Sequence, residues 1–266
     1  MTLQLNKDKI RSMISDDQRL DERGFTEYRD VQIEADYIST TADGSAYVQI
    51  GDTKVVVGIS MDTDSPYPDR PGQGTIITNA ELTPMAAPSF ESGPPGEEAT
   101  EIARVIDRGI RESSMIDLED LIIEEGETCW MAFIDIHVID YDGNLLDAAA
   151  IGATTALLNA ELPALNDDGT VDRENYQGEL PTNGAPMTIT GSKIEDQVLF
   201  DTTAEEEDVL DARLTVTFKD DGNVVNMQKG GQDPLTQEET EEILDIAEEK
   251  GEMLRERIFD ALEEAE

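Results

Sequence analysis

The sequence predicts an α+β fold made of two similar halves, in which mixed sheets pack against helices. Segments with the two-residue periodicity of strands are followed by segments with the 3.6-residue periodicity of helices, and this order occurs twice. A polar stretch at residues 166–184 separates the two occurrences and reads as a loop. At 266 residues the chain is also long enough to bury a substantial core.

The first half begins with three predicted strands. Residues 29–40 alternate polar and apolar, which is typical of a half-buried strand, whereas residues 53–61 form an apolar run expected to be buried on both faces. A short strand lies between them, so the start should be antiparallel. Residues 64–74 are rich in Pro and Gly and predict a surface loop, followed by an extended segment at residues 75–85.

Two helices and two more strands complete the first half. Acidic residues in the first turn and apolar residues at helical spacing predict a helix over residues 97–114. Strands are expected at 121–126 and 129–140, followed by a tight turn at Asp142–Asn144. Residues 145–162 are small and apolar on almost every face, which predicts a helix buried against the sheet.

The second half repeats the order in shorter form. Strands are predicted near 186–201 and 210–220, followed by an Asp-Gly turn, another strand and a long helix. Thr236 and Glu239 have the spacing of a capping box at the start of that helix. We therefore divide the chain into an N-terminal helical extension (1–18), a first half (19–180) and a second half with the C-terminal helix (181–266).

The charge balance is strongly acidic. The chain has 61 Asp and Glu against 19 Lys and Arg, for a formal net charge of -42. The acids are scattered through periodic segments, so we interpret them as a halophilic surface that stays hydrated in concentrated salt. The alternative is an acidic interaction or metal-buffering protein. Taken alone, the charge argues against nucleic-acid binding, which usually needs a basic patch.

The compartment is expected to be the cytoplasm. Cys129 is the only cysteine, which excludes an internal disulfide and a cysteine-rich zinc site and agrees with a reducing environment. The N-terminus lacks the apolar region of a signal peptide, and no apolar run approaches the roughly 18 residues that span a bilayer. We expect no membrane contact.

Three arginines form a stripe on the predicted helix over residues 97–114. Arg104, Arg108 and Arg111 fall within about 60° of one another when successive residues are placed about 100° apart. Spacing alone favours a solvated face on which Asp107 pairs with Arg111 and Glu101 with Arg104. However, Arg104 and Arg108 lie one turn apart, where like charges repel unless an anion lies between them. A phosphate diester, which arginine can bind through two hydrogen bonds, is the second interpretation.

No stand-alone active site is evident. The acids around the turn at Asp142–Asn144 lack the remainder of a calcium-binding loop, and a strand turn explains them more simply. His137 alternates along a strand and is read as structural. Phosphate-binding glycine loops and the serine-hydrolase elbow are absent from the sequence. We therefore predict no catalytic residue, no metal and no cofactor.

The sequence resembles the RNase PH family over about residues 19–262. The resemblance is carried by Arg19-x-Asp21-x-Arg23, by GSAYVQIGDTKVVVGI, by the long run from SFESGPP through DRGIRES, and by DYDGN. Within the family, the match is to the non-catalytic RNase PH-like subunit of the archaeal exosome. The resemblance implies an RNase PH-like fold and a hexameric ring of three heterodimers with an active RNase PH-like subunit. It also implies RNA-binding cap subunits, and RNA degraded from its 3′ end with phosphate.

The resemblance also predicts a lost active site. Active members hold phosphate with a Gly-Ser-Arg type turn before the buried helix, and the matching residues here are Gly143, Asn144 and Leu145. Active members also carry two aspartates six residues apart, against which this chain offers Glu207 and Arg213, although Asp211 could be shifted into register.

The arginine stripe gains a role from the same resemblance. The inactive subunit contributes arginines from its long helix to RNA bound in its partner's site, and Arg104 and Arg108 match those positions, with Arg111 in the same run. The alternatives are an active phosphorolytic exoribonuclease with acids at Asp208 and Asp211, or an acidic scaffold or divalent-ion-binding protein.

Overall fold

The computed structural model describes residues 2–166 and 169–265 and contains two main sheets and a two-stranded ribbon. The described helices are Thr2–Ser15 (α1), Glu97–Ser113 (α2), Leu145–Leu158 (α3), Ala204–Glu207 (α4) and Gln237–Ala265 (α5). The described strands are Val31–Ala35 (β1), Gly44–Ile50 (β2), Thr53–Asp64 (β3), Thr75–Leu82 (β4), Ile122–Glu124 (β5), Thr128–Asp140 (β6), Glu161–Leu165 (β7), Val171–Glu179 (β8), Met187–Ile194 (β9), Gln197–Phe200 (β10), Ala212–Phe218 (β11) and Val224–Gly231 (β12).

The first sheet is mixed, as predicted. Its order is β1-β2-β3-β6-β4, with β5 attached to β6. The pairs are antiparallel except for β4 and β6, which run parallel with Thr75 opposite Met131. β3 alternates buried and half-buried residues rather than being buried on both faces, because only one face meets a helix layer.

The second sheet has the order β10-β9-β11-β12 and lies between helices. Its strands place Thr188 against Thr217 and Thr190 against Thr215, with hydroxyl oxygens about 3 Å apart. This threonine-lined face meets α2, and α3 lies between β2 and β3 on one side and β9 on the other. α5 packs on the opposite face, over β9 and β11, and also contacts β1.

One continuous apolar core joins the two sheets and the helices between them. α3 is buried along almost its whole length, as its small apolar residues predict. The capping box at the start of α5 is present: the Glu239 N–H donates to Thr236 Oγ1 at 3.1 Å and the Thr236 N–H to Glu239 Oε2 at 2.7 Å. The N-terminal extension forms α1, whose Ile10 and Ile14 pack in a separate small cluster with Val209.

The polar stretch at 166–184 is not simply a loop. β8 lies within it and pairs with β7 as an antiparallel ribbon. Residues 167–168 of the polar stretch lie outside the described part. β8 is exposed along most of its length, so it has no apolar face that periodicity could detect. Because β7 begins at Glu161, the buried helix α3 ends at Leu158 rather than at residue 162. Among the described helices, none has the length and apolar character needed to cross a bilayer.

Candidate functional site

α2 is positioned by an apolar face that contacts both sheets. Its buried side includes Ile102, Ile106 and Ile110. A Cβ on Gly109 would lie 3.3 Å from the Thr217 side chain, so the small residue allows the helix to approach the second sheet closely. The helix ends at Ser114, which has a left-handed backbone (φ 56°) and whose N–H donates to the Arg111 carbonyl. The opposite face of α2 is therefore fixed toward solvent.

Arg104 and Arg108 lie on that solvent face and are exposed. Neither guanidinium has an ion pair or a hydrogen bond with any residue that the structure describes. Glu101, the expected partner of Arg104, instead accepts a hydrogen bond of 2.6 Å from Arg213 Nη2 on β11. Two cations one turn apart are thus left without an anion, which is the arrangement expected of a site for an anionic ligand.

Arg111 differs from the other two members of the stripe. Its Nε donates to Asp107 Oδ2 at 2.8 Å, and its Nη2 donates to the Ile76 carbonyl of β4. The Asp107–Arg111 ion pair favoured by spacing is therefore present. Because its guanidinium is held by the protein, Arg111 joins α2 to β4, which distinguishes it from Arg104 and Arg108.

A groove of about 680 Å³ runs beside Arg104 and Arg108. Thr100 and Val105 of α2 and Gln228 of β12 also line it. Glu97 and Glu101 line the same groove, so the positive charge is local and confined to the two arginines.

A second place of interest is the N-terminus of α3, at the turn of Gly143, Asn144 and Leu145 for which the resemblance predicted a lost phosphate site. Asn144 caps the helix with a left-handed backbone (φ 56°) and supplies no hydroxyl. Its N–H donates to Glu207 Oε1 at 2.7 Å, and the Tyr141 hydroxyl donates to Glu207 Oε2 at 2.6 Å. A carboxylate of the protein therefore accepts from the N-cap N–H and from a tyrosine hydroxyl at this helix end.

Little space remains around Glu207. The cavity lined by Asn144, Glu207 and Arg213 holds about 70 Å³. Burial raises the pKa of Glu207, an effect that the hydrogen bonds from Tyr141 and Asn144 only partly offset. Burial, together with the nearby Glu207 charge, also raises the pKa of Glu98. Carboxylates already crowd the site, which disfavours entry of an additional anion such as phosphate.

The other candidate acids face away from this cavity. Asp211 accepts from Arg11 of α1, with Nη2 to Oδ1 at 2.5 Å, and from the Glu195 N–H at 2.7 Å. Asp208 is exposed and lies 3.6 Å from Lys7 Nζ. Both carboxylates therefore anchor α1, and they do not converge on one point with Glu207.

The Arg-x-Asp-x-Arg segment is structural. Arg19 is buried and donates to both carboxylate oxygens of buried Glu206, at 2.9 and 2.6 Å. Arg23 and Arg29 both bind Asp201. Although burial raises it, the pKa of Asp201 is held below its ordinary value, chiefly by the Arg29 guanidinium. Sequence reasoning missed Glu206 and Asp201, whose only signal was the excess of arginine near residues 19–29 in an acidic chain.

Metal binding receives no support from the described residues, which contain no cluster of three or more potential ligands. The acids around residue 142 diverge: Asp140 pairs with Lys54, Asp142 with Arg29, and Asp147 accepts from the Tyr28 hydroxyl at 2.6 Å. Burial raises the pKa of Asp147 to about 7.

Two family models match the chain, one to each half. The 3′ exoribonuclease family (RNase PH) domain 1 matches residues 27–163, and domain 2 of the same family matches residues 184–250. The chain belongs to the RNase PH family. Its mixed sheets and packed helices are accordingly the RNase PH-like fold that the resemblance implied.

The relatives within the RNase PH family are close. The chain is 46% identical over 253 residues to the exosome complex component Rrp42 of Archaeoglobus fulgidus, covering 95% of each protein. It is 44% identical over 250 residues to the Rrp42 component of Methanothermobacter thermautotrophicus, covering 93% of this chain and 92% of the relative.

Two solved structures agree. A chain of the Archaeoglobus fulgidus exosome with RNA bound to the active site is 45% identical with a TM-score of 0.90, covering 96% of this chain and 98% of that one. A chain of an archaeal exosome core is 42% identical with a TM-score of 0.86, covering 97% of each.

Proposed function

We propose that this chain is the non-catalytic subunit of an archaeal exosome ring, which structures the active subunit's site and helps to bind RNA for 3′-to-5′ phosphorolytic degradation. Its partners are the active RNase PH-like subunit, present in three heterodimers, and the RNA-binding cap subunits. The identity to Rrp42 components over nearly the whole chain supports this assignment. The likeness to an exosome chain in a structure with bound RNA supports RNA as the ligand.

The observation that carries the RNA-binding part is the pair of unpartnered arginines. In a chain of net charge -42, an exposed guanidinium has many carboxylates with which it could pair. Arg104 and Arg108 pair with none that the structure describes, although Glu101 is on the same helix. Along the helix they are separated by about 6 Å, a distance at which both can bind one stretch of phosphate backbone.

The lack of turnover is supported by the α3 N-terminus. A phosphorolytic site must hold inorganic phosphate next to the scissile bond, and helix N-termini are suited to this because their N–H groups point outward. Here Glu207 takes the Asn144 N–H and the Tyr141 hydroxyl. In the alternative hypothesis of an active exoribonuclease, the acids are Asp208 and Asp211. Both are directed toward α1. This supports a helix end that does not clamp phosphate, and neither Asp208 nor Asp211 is placed beside it to act as a general acid.

The chemistry assigned to this chain is positioning. Bidentate arginine contacts fix the RNA backbone in register, and the partner supplies phosphate binding and proton transfer. A strongly acidic subunit can do this because only the contact patch must be positive. At high salt, counterion release contributes little to affinity, so directed hydrogen bonds from Arg104 and Arg108 become the larger share.

Phosphorolysis by the separated and assembled proteins tests the absence of turnover. The isolated chain, given RNA and inorganic phosphate, should release no nucleoside diphosphate, whereas the ring reconstituted with the active subunit should release it. Mass measurement should find three heterodimers. Release by the isolated chain that disappears in an Asp211→Asn variant would contradict the proposal, because it would place a working acid in this subunit.

A further inference from the structure

A third arginine shares the unusual state of Arg104 and Arg108. The chain has twelve arginines, and the structure pairs nine of them with carboxylates or backbone carbonyls. Arg70 is exposed, and no ion pair or hydrogen bond joins its guanidinium to another described residue. It does not pair even with Asp69, its neighbour in sequence. It lies outside the stripe, on the loop between β3 and β4.

Arg70 belongs to a rigid turn that also presents an aromatic ring. The Arg70 N–H donates to the Tyr67 carbonyl at 2.9 Å, which closes a four-residue turn (the Tyr67–Arg70 turn). The Tyr67 side chain is 59% exposed. Pro66, Pro68 and Pro71 restrict the backbone on both sides of these two residues. The backbone that presents the exposed ring and the guanidinium is thus restricted before any ligand binds.

Both ends of the loop are anchored to the protein. Pro66 is buried at one end. At the other end the Gly126 N–H donates to the Pro71 carbonyl at 3.0 Å, and the Gly74 N–H donates to the Leu118 carbonyl at 2.7 Å. A Cβ on Gly74 would lie 2.4 Å from Leu121 Cβ, so only glycine permits this approach. The turn is therefore a fixed feature of the surface.

The turn lies beyond the C-terminal end of α2. α2 runs antiparallel over β4, since Asp107 meets Thr78 at 3.5 Å and Arg111, one turn later, meets the Ile76 carbonyl. Beyond Arg111, the C-terminal end of α2 therefore points toward Thr75, where β4 begins, and toward the loop that precedes β4. A strand that follows α2 from Arg104 through Arg108 is thus directed toward the end of the subunit that carries Tyr67 and Arg70.

We propose that the Tyr67–Arg70 turn is a second RNA-contacting element of this subunit, in which Arg70 binds a backbone phosphate and the Tyr67 ring stacks on a base. The inference rests on the proposed function, because it extends the same RNA strand. An exposed ring beside a free arginine is the combination that binds single-stranded nucleic acid without sequence preference. The acidic surface of this chain supplies many carboxylates with which Arg70 could pair. The guanidinium nevertheless pairs with none that the structure describes.

The dependence of binding affinity on RNA length distinguishes the contact at α2 from the contact at the Tyr67–Arg70 turn. In the reconstituted ring, the dissociation constants of a graded series of oligoribonucleotides would be measured at fixed salt. Arg104→Ser/Arg108→Ser should weaken binding of every RNA. Tyr67→Ala/Arg70→Ser should leave the shortest bound RNAs unaffected and weaken the longer ones by about tenfold, since base stacking and one phosphate contact are lost. Tyr67→Phe should keep the affinity, because the ring remains.

The control is Lys9→Ser, which removes one exposed cation from α1 and should change no affinity. If the longest RNA binds the Tyr67→Ala/Arg70→Ser ring as tightly as the wild type while the α2 variant still loses affinity, the turn is not an RNA contact and the proposed function stands. If the α2 variant also binds normally, the proposed function fails first. Loss of ring assembly in the turn variant would overturn the inference in favour of a contact between subunits.

Discussion

The backbone N–H of Asn144 donates to Glu207 Oε1 at 2.7 Å, across 63 residues of sequence. This contact places a carboxylate of the protein at the N-terminus of α3. The same carboxylate accepts from the Tyr141 hydroxyl at 2.6 Å, so Glu207 also joins α4 to the end of β6. Its loss should consequently affect folding more than it affects catalysis.

We predict that Glu207→Ala lowers the free energy of unfolding by about 1–3 kcal/mol, because two partly buried donors lose their acceptor. Denaturant unfolding of the isolated chain measures this. Glu205→Ala is the matched control, since that side chain is exposed on the same short helix and should cost less than about 0.5 kcal/mol. Equal stability of the two variants would argue against the Glu207 contact.

The buried Arg19–Glu206 pair should be the most sensitive ion pair tested. Arg19→Leu leaves the Glu206 carboxylate buried without its partner, at an expected cost of about 3–5 kcal/mol. Arg19→Leu/Glu206→Leu should cost clearly less than the sum of the single changes, because no isolated charge remains. A double-mutant cycle of unfolding free energies measures the coupling. Additive costs would contradict a direct pairing of these side chains.

Asp147 should give the stability a pH dependence. Its pKa is raised from an ordinary 3.8 to about 7 by burial, so between these values the folded chain holds a proton that the unfolded chain has lost. This group therefore stabilises the fold at low pH, and its contribution is lost as the pH rises toward 7. In the Asp147→Asn variant, the unfolding free energy should decrease by a few kcal/mol less over that pH range than it does in the wild type.

The measurement is denaturant unfolding at a series of pH values and one salt concentration. Asp69→Asn, a change at an exposed acid, serves as the control and should keep the wild-type profile. An Asp147→Asn profile parallel to the wild type would show that Asp147 does not titrate in this range.

Much of the fold could be predicted because local periodicity reflects burial. The apolar stripe of α2 and the small residues of α3 predicted both helices, and the alternation at residues 29–40 with the apolar run at residues 53–61 predicted the antiparallel start of the sheet. β8 could not be found in this way, since it is mostly polar, is exposed along most of its length and carries no periodic apolar pattern.

The sequence predicted only the part of the candidate site that lies on the single helix α2. Spacing placed Arg104, Arg108 and Arg111 on one side of α2, which the structure reproduces. It could not separate Arg111 from the others, because the Ile76 carbonyl that holds it comes from β4, 35 residues away. The Glu101–Arg213 pair spans 112 residues and was likewise outside the reach of helical spacing.

Substitution of Arg111 should change the unfolding free energy more than substitution of Arg104 or Arg108. Arg111→Ser should lower the unfolding free energy by about 1–2 kcal/mol, because it removes an ion pair and a hydrogen bond to β4. Arg104→Ser and Arg108→Ser should change it by less than about 0.5 kcal/mol, since neither side chain has a partner to lose. Similar costs for all three would mean that Arg111 is as free as its neighbours.

RNA affinity of the reconstituted ring tests the central claim most directly. The dissociation constant for a single-stranded RNA would be measured with wild-type chain and with Arg104→Ser/Arg108→Ser, with Lys9→Ser as a reference for the loss of one exposed cation elsewhere. We predict at least about tenfold weaker binding for the double variant, corresponding to about 1.4 kcal/mol or more, with the ring intact. An intact ring that binds RNA with unchanged affinity would contradict the assignment of α2 as the RNA-holding element of this subunit.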